Sequence, residues 1–162
     1  MLQKEFLPAL KVVFLTRPKE ETPVGTGTSL IFPNEYGGDH LELICEAQIT
    51  LFFSDVYLQY VYDRENYELL TEELKDLFAG ELCAIVAYDG DDWLFGRFVS
   101  VELLPSIADV QGWWNFLFPV DEPRPDLSSS DGVRIKMIYW NPERNRVLCL
   151  TEDTLEQIGT EA

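Results

Sequence analysis

His40 is the only histidine in the chain, and it sits in a glycine-rich loop, Gly37-Gly38-Asp39-His40. A Ser–His or Cys–His nucleophile requires the imidazole within hydrogen-bond reach of the attacking atom. Cys45 is near enough in sequence to be considered, but no catalytic motif surrounds the two, so His40 reads as a surface-loop residue beside a strand. Cys45, Cys83 and Cys149 are odd in number, far apart, and each set in an alternating apolar stretch. That usage predicts buried free thiols in a reducing cytoplasm, not a disulfide framework. One His and three dispersed Cys also lack zinc-ligand spacing.

Carboxylates are abundant, with 29 Asp and Glu in 162 residues. Glu42 with Glu46, or Asp89 with Asp91 and Asp92, could converge as an acid and base pair. At this density, however, two neighbouring acids are expected by chance. The run Asp89-Gly90-Asp91-Asp92 lacks the ligand spacing and distal bidentate Glu of a calcium loop, so it reads as a hairpin turn. Gly25-Thr26-Gly27 is too short to cradle phosphate and has no following Lys. Arg134, Lys136, Arg144 and Arg146 form the only local basic cluster. They lack interleaved aromatics and are placed to pair with an acidic surface. No metal or cofactor is expected from these residues.

The charge balance constrains partners more firmly. Twelve Lys and Arg against 29 acids give a net charge of -17 and a pI near 4.2. Such a surface repels phosphate backbones and anionic lipid headgroups, which argues against direct nucleic-acid or membrane-surface binding. The same field attracts a basic protein partner. No apolar run approaches the roughly 18 residues of a membrane span. The hydrophobic fraction of 46% and aromatic fraction of 13% are those of a folded chain, so the charge marks a surface and not disorder. The length predicts a single domain over 1–162.

Aromatic residues supply candidate anchors. Trp113-Trp114-Asn115-Phe116-Leu117-Phe118 cannot all face inward from one helix, because neighbours diverge by about 100°. Some of this group is therefore exposed or covered by the long 119–132 loop. Trp93, Trp113 and Trp114 are the expected partner anchors, with Glu72, Glu73, Asp76, Asp89, Asp91 and Asp92 steering the encounter.

The elements that position these residues are mostly hairpins. Lys4 ahead of Phe6-Leu7-Pro8-Ala9-Leu10 outlines a secretion signal, but Lys11 interrupts it and no small-residue cleavage site follows before Arg17. Residues 9–16 read instead as a first strand and 28–32 as a second, with a turn-rich connection between them. Period-two alternation from Leu41 to Phe53 predicts one long strand, bent or bulged where Ile44 and Phe52 break its polar face. Residues 56–62 continue as a strand. Tyr67, Leu70, Leu74, Leu77 and Phe78 set a helix over 65–79, stopped at Gly80.

A hairpin of 83–88 with 93–103 follows, in which Trp93, Phe95, Val99 and Val101 share a face and Gly96 marks a bulge. A second helix is predicted from Pro105-Ser106, then a hairpin of 133–140 with 146–151. A short helix or frayed end is predicted over 152–162. The fold class is α+β: one bent, mainly antiparallel sheet of about seven or eight strands with two helices packed on it.

These features point to a small cytoplasmic protein-binding module without catalytic activity. Its concrete form is an immunity-type inhibitor that neutralises a basic toxin or nuclease. Alternatives are a nucleic-acid mimic, an acidic secretion chaperone, or a carboxylate-dependent hydrolase using Asp89, Asp91 or Asp92 with His40.

Overall fold

The computed structural model describes residues 1–122, 126–127 and 131–160. Among these, β1 (Glu20–Val24), β2 (Gly27–Phe32), β3 (Leu41–Cys45), β4 (Ile49–Phe53) and β5 (Val56–Tyr60) form an antiparallel meander in chain order. A second antiparallel sheet has the order β10-β9-β8-β6-β7, from β6 (Leu82–Asp89), β7 (Asp92–Ser100), β8 (Val133–Ile138), β9 (Arg146–Leu150) and β10 (Leu155–Gly159). Three helices accompany them: α1 (Gln3–Val13), α2 (Arg64–Ala79) and α3 (Val110–Leu117). The α+β class holds, but the expected single sheet with two helices is replaced by two five-stranded sheets with three.

Local chemistry explains most boundaries. Asp63 caps α2 by accepting from the Asn66 amide at 2.7 Å, and Gly80 ends it at φ 77°. The predicted first strand is helical, because Phe6, Leu10 and Phe14 recur every four residues and all three are buried. The predicted strand over 41–53 is a hairpin: Cys45 pairs with Ile49 across a three-residue turn, which keeps Leu41, Leu43, Cys45, Ile49, Leu51 and Phe53 on one face. The third helix starts later than Pro105, capped by Asp109, whose carboxylate accepts from the Gly112 amide at 2.8 Å. Residues 155–159 form a strand on β9 in place of the expected helix. The expectation about the 119–132 loop falls in part on 123–125 and 128–130, and that for the C-terminus in part on 161–162; both groups lie outside the described residues.

Two cores share the second sheet. Ala84 and Val86 of β6 join the inner face of the first sheet, α1, α2 and Trp140. Cys83, Ile85 and Ala87 point the other way, against Trp113, Leu117 and Phe118. A strand buried on both faces reads as a continuous apolar run, as β6 does. Gly96 of β7 is where the two sheets touch: a Cβ there would lie 2.9 Å from the Asp55 carbonyl oxygen and 3.3 Å from Val56. Gly96 is thus a point of close approach and not the expected bulge. Cys45 and Cys83 are buried free thiols, whereas Cys149 is half-buried. No helix among the described residues is long and apolar enough to cross a membrane.

Candidate protein-interaction surface

The β6–β7 hairpin closes through Gly90-Asp91, with Asp89 opposite Asp92 and Gly90 at φ 62°. The register then slips: Tyr88 faces Trp93, whereas Ala87 faces Phe95, leaving Leu94 as the extra residue. This bulge reverses the face of Trp93 relative to Phe95, contrary to the shared face expected from alternation. Bulges commonly re-aim a side chain in this way. Trp93 is 52% exposed, and its indole donates to the Asp55 carbonyl at 3.1 Å.

Asp55 organises the surroundings. It lies in the two-residue turn between β4 and β5, next to Ser54, the one non-glycine at positive φ among the described residues. A side chain held there costs about 1 kcal/mol or more, so the turn is fixed by its contacts. The Tyr88 hydroxyl donates to the Asp55 carboxylate, and the Lys136 ammonium lies 3.6 Å from it. The Arg134 guanidinium sits 4.9 Å from the Tyr88 ring and 4.0 Å from the Asp91 carboxylate. Burial and the bond to Asp55 hold the Tyr88 phenol protonated far above its ordinary value, so it serves as a donor and not as a base. Beside this knot, Asp39, His40, Phe52, Ser54 and Asp55 line a cleft of about 340 Å³.

The expected site residues occupy three places. Asp91, Asp92 and Trp93 are exposed together at the hairpin tip, while Asp89 is buried at 5% exposure. Glu72, Glu73 and Asp76 lie on α2: Glu72 is exposed, and Glu73 accepts from the Tyr60 hydroxyl at 2.6 Å. Tyr60 is at the opposite end of β5 from Asp55, about 16 Å away at the rise of a strand. The α2 acids and the hairpin tip therefore do not form one patch.

Trp113 is 2% exposed and its indole donates to the Ser106 carbonyl at 3.2 Å; half-buried Trp114 donates to the Thr151 carbonyl at 2.9 Å. Both hold α3 against the second sheet. Of the three tryptophans expected as anchors, Trp93 is the one at the surface.

The chemistry considered for His40 is also placed. His40 and Cys45 flank opposite ends of β3, about 16 Å apart along an extended chain, and burial pushes the Cys45 thiol up to about 11. They form no nucleophilic pair. His40 shares its cleft with Asp39 and Asp55, not with Asp89, Asp91 or Asp92. No group of three or more His, Cys, Asp or Glu among the described residues could hold a metal ion. The basic hairpin cluster is engaged within the fold: beyond Arg134 and Lys136, Arg144 donates to the Gly80 carbonyl at 2.8 Å and Arg146 to the Asn145 carbonyl at 2.6 Å. Comparison of the chain with known protein families, curated proteins and solved structures returns no match.

Sequence reasoning missed the Asp55 knot, which joins residues from three separate hairpins. It also missed the outward face of the first sheet, although the interruptions at Ile44 and Phe52 were its signal.

Proposed function

We propose that this protein binds a basic protein partner, in the manner of an immunity-type inhibitor that covers the cleft of a cationic toxin or nuclease. The observation that carries the reading is Trp93: a half-exposed indole, fixed on Asp55 and flanked by the exposed carboxylates of Asp91 and Asp92. An aromatic already held in one orientation loses little freedom on binding and acts as an anchor. The net charge of -17 supplies long-range attraction for a cation-rich surface.

Affinity capture from native lysate at about 50 mM and about 300 mM salt tests this reading, since exposed charges are screened over that range. The expected result is one basic protein retained stoichiometrically at low salt, partly released at high salt, and retained less by a Trp93→Ala bait. Retention of no basic protein overturns it.

A further inference from the structure

We infer that the outward face of the first sheet is the docking surface for a cationic protein segment, with Phe52 and Tyr57 as its aromatic anchors toward the β5 edge. This rests on the reading of a basic partner and names where that partner sits.

The strand register defines the face. One row across the sheet is Glu20, Ile31, Glu42, Phe52 and Tyr57; the next is Thr22, Ser29, Ile44, Thr50 and Gln59. The opposite side of β2 to β5 supplies the core, where α1 and α2 also pack, whereas β1 is exposed throughout. Ile31, Ile44, Phe52 and Tyr57 belong to neither core cluster. No helix of the described residues lies over them. The Phe52 and Tyr57 rings meet edge to face at 5.2 Å, and Tyr57 is 51% exposed. Apolar side chains aligned on an open sheet face form a contiguous patch of the kind that marks an interaction site.

Charge selects the occupant. The five strands of this sheet contain no Lys or Arg, and the ionised groups that these strands place on the open face are Glu20 and Glu42. Asp39 extends the negative rim beside Phe52, where the Asp55 carboxylate is already paired with Lys136. A second copy of the chain would bring Glu20 and Glu42 against like charges and oppose two molecules of charge -17. A cationic segment meets the apolar side chains together with Glu42 among them and Glu20 at the β1 edge.

Size adds one condition. Five strands about 4.8 Å apart and about 17 Å long give a footprint of about 320 Å², against about 800 Å² per partner in a standard interface. The partner must therefore extend beyond β5, and Trp93 lies in that direction, bonded to the β4–β5 turn.

The test uses an amphipathic peptide of Lys and Leu as probe, followed by fluorescence anisotropy and by the methyl resonances of Ile31 and Ile44. Phe52→Ser combined with Tyr57→Ser is expected to weaken binding at least about tenfold, the range of a central anchor, and Trp93→Ala by less. Tyr57→Lys, a single change at a half-exposed position, keeps the test valid should the double variant misfold, and it also is expected to lose about tenfold. Unchanged affinity in Tyr57→Lys, loss in Trp93→Ala alone, or a wild-type protein that ignores the probe overturns the docking surface. So does a dimer in solution that protects Ile31 and Ile44. If the face fails in any of these ways while lysate capture still yields a salt-labile basic protein dependent on Trp93, the broader binding reading stands; if capture fails as well, both fall.

Discussion

At the scale of single residues, the acids of this chain divide into those that face water and those the fold holds. Burial raises the pKa of Glu73 despite the hydrogen bond from Tyr60. A carboxyl whose folded pKa exceeds its unfolded value near 4.3 favours the folded state while protonated, and that contribution is lost as pH rises through the folded pKa. Glu73→Gln keeps an acceptor for Tyr60 and removes the charge, so thermal melts should show a higher Tm at neutral pH and a flatter decline as pH rises above the unfolded value. Glu35 has the opposite sign. Burial alone would raise its pKa, but its own backbone amide, the Trp140 indole and Arg17 hold it low, so its contribution is lost as pH falls through the lowered value.

The tryptophans separate in the same way. Trp113→Ala should cost about 3–5 kcal/mol by denaturant unfolding, as a buried aromatic truncation does, whereas Trp93→Ala should cost under about 1 kcal/mol and act on binding instead. The sequence offered Trp93, Trp113 and Trp114 together as anchors. It could not separate Trp93 from Trp113 and Trp114, because burial depends on which segment packs over a helix.

Elements were legible where one signal dominated. The run from Leu70 to Gly80 carried both a helical stripe and a stop, and α2 follows it closely. Alternation misled where it continued through a turn: the step from Cys45 to Ile49 preserves parity, so β3 and β4 looked like one strand. At the N-terminus, Pro8 and the β-branched pair Val12-Val13 concealed the four-residue spacing of Phe6, Leu10 and Phe14. Two sheets instead of one could not be read locally, since sheet membership is decided by long-range pairing. Gly96 is the element-scale test. Gly96→Val places atoms against the Asp55 carbonyl and Val56, and should cost about 1–3 kcal/mol of stability, as overpacking does. The Trp93 indole should be displaced with it, read as a shift in tryptophan emission; full retention of stability would show that the two sheets do not meet there.

For the whole molecule, the net charge of -17 was legible at once, and its distribution was not. Glu72, Glu73, Asp76, Asp89, Asp91 and Asp92 are close in sequence, yet folding sends α2 and the β6–β7 tip to separate places. Among the described residues one sheet face is left open, free of cationic side chains on its strands and bordered by the Trp93 hairpin. A surface of that kind gains its encounter rate from long-range attraction and its lifetime from central aromatic contacts. The most direct measurement is the association rate constant of the captured partner by stopped-flow fluorescence, followed from about 50 to about 300 mM salt. The account predicts a rate that falls at least about tenfold over that range, with a dissociation rate that changes far less. An association rate indifferent to salt would contradict it.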